Sequence, residues 1–593
     1  MTFTAPASFT TRPTLRGTFG MSASTHWTAT ATAQAVLERG GNAFDAAVAG
    51  AFVLHVVEPH LNGPGGDLVA LIRPAGATEP VVLMGQGPAP ARADIAQFTA
   101  RGLDLVPGAG GLAAAVPGAV DAWLLLLRDH GTWELADVLA FAIGYAREGH
   151  PLVAGAALTI ARVADLFRDH WPSSLERWMP DGTPPAVDAI VRNPAWAGVL
   201  DSLVAAGDDL DARAARIDAA RERWMTEVLP EAAAFVSRPH RHADGADHAG
   251  ILDADDLALW RAGYEPAVST LFRGWNVYKA GTWTQGPALL HTLRLLEDAG
   301  DAELDPGTPE GAHLLLEAQK LAYADRDAWF GDADGAVGID ALLADEYVAA
   351  RRALIGPEAS TDLRPGSPDG RDPLLPPLRT DRSATDGSTG EPTVDRSGQT
   401  RGDTCHIDVI DRWGNVVSAT PSGGWLQSSP TVPALGFCLG TRLQATWLVP
   451  GHPASLTPGR RPRTTLTPTM LTRGDEVIAI GSPGGDQQDQ WQLPVLLRML
   501  VGGYSAQQAI DAPTLNTTAL IDSFWPRTWV PAGAAVEDRL GDELIAALER
   551  RGHRVRRAGD WALGRVSAVG RDADGLLWAA ANPRGAQGYA AGR

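Results

Sequence analysis

Lysine is almost missing from these 593 residues: only Lys279 and Lys320 occur, and alanine and leucine follow them. The Gly-Lys-Ser/Thr of a phosphate-cradling P-loop is therefore excluded. Two cysteines, Cys405 and Cys438, are too few for a disulfide framework and suit a reducing compartment. Long apolar runs are missing too. The longest, near residues 46–57, contains His55 and falls short of a membrane span, and the first residues lack the apolar stretch of a signal peptide. Positive charge is in deficit: 50 Lys and Arg face 70 Asp and Glu, a formal net charge of -20 that repels phosphate backbones and anionic lipid. No glycine-rich stretch has a GxSxG or GxGxxG register, which removes serine-hydrolase elbows and dinucleotide cofactors. These absences leave a soluble, cytoplasmic protein without nucleic acid, membrane, metal or cofactor.

With 45% hydrophobic residues the chain can bury one very large core or several ordinary ones. Apolar periodicity predicts helices over 28–40, 43–57, 119–128, 135–148, 211–227 and 308–326. Residues 357–403 are rich in Pro, Gly, Ser, Asp and Thr, which predicts an unordered linker. The next segment, TCHIDVIDRWGNVVSAT, alternates about the turn signal Asp411–Asn415 and predicts a β-hairpin that starts abruptly at Thr404. A later strand, 477–480, runs into the turn Gly481-Ser482-Pro483-Gly484-Gly485, and helical periodicity resumes after Gln487.

A threonine that opens a strand after a removable cover suits an N-terminal nucleophile. Cleavage before it frees an α-amine beside the hydroxyl, and that amine supplies the base an alcohol lacks. Many strands begin with threonine after a loop, so spacing alone does not decide. Cys405 is the better intrinsic nucleophile, but alternation turns it to the opposite face and only Thr404 would own the new amine. His406 shares the face of Thr404 and either supports the site or is a buried structural histidine. His240, His242 and His248 are of zinc-ligating type without a zinc spacing, and read as a surface cluster. Asp45, and Asp325 with Arg326, read as structural carboxylates or a helix-surface ion pair.

The segments GMSAS (20–24), GGNAFDAAVAGAFVLHVVEPHLNGPGGD (40–67), PGAVDAW (117–123), EAQKLAYADRDAWFGD (317–332), TCHIDVIDRWGNVVSAT (404–420), RPRTTLTPTM (461–470), GSPGG (481–485) and NPRG (582–585) together resemble the γ-glutamyltransferase family. The likeness runs from near residue 20 to residue 585. It implies an α+β fold, a four-layer αββα sandwich of the N-terminal nucleophile hydrolase type. It also implies a proenzyme cut between Asp403 and Thr404 into a large subunit, 1–403, and a small catalytic subunit, 404–593, which stay associated and allow a homodimer of the processed pair. On this likeness Thr404 is the nucleophile of self-cleavage and of amide hydrolysis or acyl transfer through an acyl-enzyme. Gly484 and Gly485 supply the backbone oxyanion hole, and Ser422, with Thr420 as neighbour, assists processing. Thr464 and Thr465 either contact the substrate carboxylate or simply stabilise a strand.

The recognition positions depart from the family pattern. The arginine that binds a γ-glutamyl α-carboxylate matches Ala93, with Arg92 one residue off register. The acidic residue for the α-amine falls near Gln444, and a hairpin asparagine falls near Gly424. A zwitterion that loses both charged partners is poorly replaced out of water. Oxamate amidohydrolases and cephalosporin acylase-like enzymes are relatives that depart in this way, and the tracts around Trp283, Gln285, Trp425, Gln427, Gln487 and Gln488 resemble the oxamate amidohydrolase-like branch and suit a small uncharged amide unless they serve packing. An unprocessed relative that binds a ligand without turnover is the remaining class.

Overall fold

Alternating apolar patterns on both sides of the 411–415 turn place a hairpin at the centre of the molecule, and two sheets form around it. The computed structural model describes residues 3–380 and 404–593. One seven-stranded sheet runs in the order Tyr589–Gly592, Gly20–Ser24, Ile407–Asp411, Val416–Ser422, Asp67–Arg73, Val81–Gly85, Gly263–Pro266. The other runs Leu15–Gly17, Leu577–Ala581, Ser567–Arg571, Glu476–Gly481, Thr469–Arg473, Trp275–Lys279, Val268–Phe272. All their pairings are antiparallel.

Three apolar clusters make this a four-layer αββα sandwich. Between the sheets lie Met21, Leu71, Ile410, Met470, Val477 and Val569. Outside the first sheet, helices Trp27–Glu38, Ala43–Val57, Ala119–His130 and Leu135–Glu148 pack on Ile407, Val409 and Val417. Outside the second, helices Pro287–Leu296, Pro309–Trp329 and Gln488–Leu500 pack on Leu471, Ile478 and Ala568. Ala43–Val57 is buried along its whole length. Its start is fixed by a capping box: Asn42 accepts from the N–H of Phe44 and Asp45, and the Asp45 carboxylate accepts from Asn42 N. Asp45 also receives Thr132 N at 2.8 Å, so it is a buried structural carboxylate.

The expected helices are present within a few residues, except that 211–227 becomes Arg213–Arg223 followed by a π-turn, Trp224–Val228. The ladder of the hairpin starts at Ile407 rather than Thr404, which joins Ser422 by one isolated antiparallel bridge. His406 O instead accepts from Thr25 N at 3.1 Å. Residues 357–380, expected in an unordered linker, lie against the body without helix or strand. Gly366 N donates to Asp325 Oδ1 at 2.7 Å, Arg364 pairs with Glu317, and Ala359 N donates to Arg551 O. Buried carboxylates hold this polar stretch where apolar burial would not. The rest of that segment, with Asp403, lies outside the described residues. Among the described residues no helix is long and apolar enough to cross a membrane.

Asp411 carries the hairpin turn: it accepts from Trp413 N and Asn415 N on Oδ1, and from Ala43 N on Oδ2 at 2.8 Å. Asp411→Ala strands these donors and is expected to cost about 2–4 kcal/mol. A urea titration followed by tryptophan fluorescence checks it.

Candidate active site

The hairpin fixes Thr404 through its neighbours. Cys405 N donates to Pro421 O at 3.0 Å, which places Thr404 opposite Ser422. Thr404 is 1% exposed, and its Oγ1 lies 3.4 Å from Ser422 Oγ and 3.5 Å from Gln488 Nε2. Alternation sends Cys405 the other way: its thiol donates to Glu58 at 3.0 Å among the helix-side core. Burial raises the Glu58 carboxyl, opposed by the Thr25 and Cys405 hydrogen bonds. His406 returns to the face of Thr404, with Nδ1 2.9 Å from Thr420 Oγ1 and Nε2 2.9 Å from Asp408. Its ring lies against Gly481, where a Cβ would sit 2.1 Å from it. His406 thus links the hairpin to the strand that ends in the glycine turn.

That turn has a backbone only glycine adopts readily. Gly484 has φ 125° and Gly485 φ 54°, and a Cβ on Gly484 would fall 2.3 Å from the Trp491 ring. Among the described residues neither glycine donates its N–H to a hydrogen bond. Gln487 N donates to Gly484 O, and helix Gln488–Leu500 begins immediately, bringing Gln488 to Thr404. Beneath the turn, Gln285 donates to Gly485 O at 3.1 Å and Tyr323 to Asp486 O at 2.8 Å. Arg326 is bonded to Gln285, Asp327 and Asp486, and Ser523 gives Asp486 both its N–H and its hydroxyl. Burial works to raise the Asp486 carboxyl, but Arg326, Arg463 and the Ser523 bonds hold it below the ordinary value. Asp325 and Arg326 are thus not a surface ion pair: both are fully buried, and Asp325 is held by Tyr347 and Arg351.

The remaining recognition candidates are dispersed. Thr464 pairs through its backbone with Trp283 and Gln285, and Thr465 is buried beside it. Gln444 is committed to Gly108 O, Thr441 and Trp525 N. The Arg92 side chain is 56% exposed and bonds Ile251 O, while Ala93 sits in an apolar cluster with Phe98 and Leu443. Trp283 donates to Glu265, Trp425 to Leu61 O and Gln427 to His60 O. Gly424 crosses the glycines at 65–66, where a Cβ on Gly66 would meet Ser422 O at 2.0 Å.

The histidine cluster is only partly at the surface: His240 and His248 are half-buried. His242 is buried, and His240 and His242 accept from Gly111 N and Leu112 N at 2.9 and 3.0 Å, capping a short turn with neutral rings. A different trio converges instead: His313, Glu317 and His553. Its groups already have partners. The two rings bond each other at 2.9 Å, and Glu317 pairs with Lys320 and Arg364. Sequence reading missed this trio, since His553 lies far along the chain from His313 and Glu317, which share one helix. It also missed Asp486, Ser523 and Arg463, although Arg463 stands inside RPRTT.

Residues 29–592 match the sequence profile of the family described as Gamma-glutamyltranspeptidase. The oxamate amidohydrolase proenzyme of Klebsiella pneumoniae is 30% identical over 97% of this chain and 98% of its own. Among solved structures, LmbA2991HD is 52% identical with a TM-score of 0.93, covering 99% of this chain and 100% of its own. The cephalosporin acylase of Bacillus halodurans is 28% identical with a TM-score of 0.82, covering 99% and 98%.

Removing Arg326 leaves two buried carboxylates short of a partner, so Arg326→Met is expected to cost about 3–5 kcal/mol near neutral pH. The gap should narrow as pH falls through and below the ordinary carboxylate range, because protonated Asp486 no longer needs the cation. Urea titrations at several pH values check both.

Proposed function

The chain belongs to the γ-glutamyltranspeptidase family, and from that premise we propose a self-cleaving threonine amidohydrolase whose acyl group is not γ-glutamyl. Cleavage between Asp403 and Thr404 gives a large subunit, 1–403, and a small one, 404–593. The freed α-amine of Thr404 takes the hydroxyl proton as Oγ1 attacks the amide carbonyl. The N–H groups of Gly484 and Gly485 receive the negative charge that develops on the carbonyl oxygen. The tetrahedral intermediate collapses to an acyl-Thr404 ester, and the protonated amine passes its proton to the leaving nitrogen. Water, activated by the same amine, then attacks the ester, and the acid departs as Thr404 recovers its proton. Ser422 orients Oγ1 during self-cleavage.

The observation that carries this reading is the meeting of Thr404 Oγ1 with Ser422 and Gln488 at a turn whose two glycine N–H groups have no acceptor among the described residues. The proenzyme names of the relatives support it. The committed Gln444 and the apolar surroundings of Ala93 support an acyl group other than γ-glutamyl.

Intact mass under denaturing conditions should resolve the two pieces, the smaller of about 20 kDa, if the N-terminal amine is the base. Thr404→Ala is expected to remain a single 62.4 kDa chain without turnover; a cleaved or active variant removes Thr404 from its role. Gly484→Ala, in the cleaved enzyme, is expected to lose about 100-fold in kcat, since the added Cβ displaces an oxyanion donor. Steady-state kinetics on small amides measure it.

A further inference from the structure

Self-cleavage asks for a base that the uncut chain does not yet own. Before the cut the nitrogen of Thr404 is a peptide nitrogen, so it cannot take the hydroxyl proton, and an unactivated alcohol is a poor nucleophile. The two groups beside Thr404 Oγ1, the Ser422 hydroxyl and the Gln488 amide, do not take up a proton near neutral pH either. Alternation points residues 404, 406, 408 and 410 of one hairpin strand, and 416, 418, 420 and 422 of the other, toward the facing sheet. Of these side chains only His406 and Asp408 are ionisable.

These two form a connected set with Thr420. His406 Nδ1 lies 2.9 Å from Thr420 Oγ1, and its Nε2 lies 2.9 Å from Asp408 Oδ2. All three residues are 0% exposed. The ring lies over Gly481, where a Cβ would meet it, so packing fixes its plane and keeps Nδ1 on Thr420. Hydroxyl, imidazole and carboxylate in this order are the parts of a general-base unit, in which the carboxylate orients the ring and balances the charge it gains. Asp408 has no other partner among the described residues, and its contact with His406 is one of charge rather than an aligned hydrogen bond. A carboxylate buried on such terms is costly and aspartate is a poor strand former, so packing of the two sheets does not call for it.

The unit sits one rung from the nucleophile. Thr404 with Ser422 and His406 with Thr420 are successive cross-strand pairs on one face. The step along the strand is roughly 7 Å, a gap that the two hydroxyls or one water span. Resting on the reading of Thr404 as nucleophile, we infer that His406, held by Asp408, is the proton acceptor of self-cleavage and acts through the Thr420 hydroxyl, as a positioning residue for Thr404. Thr404 Oγ1 attacks the carbonyl carbon of residue 403 as its proton passes by way of Thr420 to His406 Nδ1. The imidazolium, its charge met by Asp408, returns that proton to the nitrogen of Thr404 as the carbon–nitrogen bond breaks. Residue 403 is left as an ester on Oγ1, and the nitrogen as a free amine. Water then splits the ester, its hydroxyl going to the acyl carbon and its other proton to Oγ1. In turnover the new amine takes over as base, so the two reactions of one nucleophile use different bases.

Cell-free translation of the full chain, followed in time by gel and intact mass, reads the cleavage rate directly. His406→Gln is expected to cleave about 100-fold more slowly than wild type, and Asp408→Asn about tenfold or more. The Thr420 pair separates proton transfer from packing. Thr420→Ser keeps the hydroxyl and loses a buried methyl, whereas Thr420→Val keeps the shape and loses the hydroxyl. A relay makes Thr420→Ser the faster by about tenfold or more; a threonine that only packs gives the reverse order. Circular dichroism of each purified variant checks its fold, and if His406→Gln does not fold the Thr420 pair decides. Cleavage of folded His406→Gln at the wild-type rate, or of Thr420→Val as fast as Thr420→Ser, overturns the assignment. An uncleaved wild type refutes the N-terminal threonine reading, whereas a cleaved wild type whose variants match its rate refutes the role of His406 alone.

Discussion

The buried ion pair between Arg326 and Asp486 is the constraint on which the candidate site depends. Gly484 and Gly485 hold backbone angles that relax readily unless the next residue is anchored, and that residue is Asp486. Its carboxylate is bound by Arg326 and by both donors of Ser523, and its carbonyl by Tyr323. Arg326 comes from helix Pro309–Trp329, the longest in the described chain, and is buried with Asp327 as its second anion. The helix therefore positions the turn, the turn starts helix Gln488–Leu500, and that helix brings Gln488 to Thr404.

Sheet order explains how two pieces of one chain would stay together. In the sheet that carries the hairpin, Ile407–Asp411 pairs with Gly20–Ser24 on one side, and Val416–Ser422 pairs with Asp67–Arg73 on the other. In the facing sheet, Leu15–Gly17 pairs with Leu577–Ala581, and Trp275–Lys279 with Thr469–Arg473. In both sheets strands from before residue 403 pair directly with strands from after it, so a cut at that point breaks one covalent bond and leaves these ladders intact. The His313–His553 contact adds a further tie between the same two portions.

Much of this was legible in the sequence because it is local. The Asp411–Asn415 turn, the largely apolar 43–57 helix and the strand into Gly484–Gly485 each announce themselves within about a dozen residues. Readings that depended on distant partners fared differently. Residues 357–380 have the composition of an unordered linker, yet Asp325, Glu317 and Arg551 give their backbone and side chains somewhere to bind. His240 and His242 read as surface residues, and they accept from the N–H groups of Gly111 and Leu112, with His242 buried. Gln444 binds Gly108 O and Arg92 binds Ile251 O, contacts that register along the sequence does not give.

The sequence by itself determined the family, the alternation that separates Thr404 from Cys405, and the glycines a left-handed turn requires, because these depend on residue type and spacing along one segment. Only the tertiary structure decided which charges meet. Arg326 and Asp327 sit on one helix, Asp486 follows the glycine turn and Ser523 lies further along, and their bonds join stretches far apart in the chain. Charge balance in a low-dielectric interior depends on distances that no local pattern encodes.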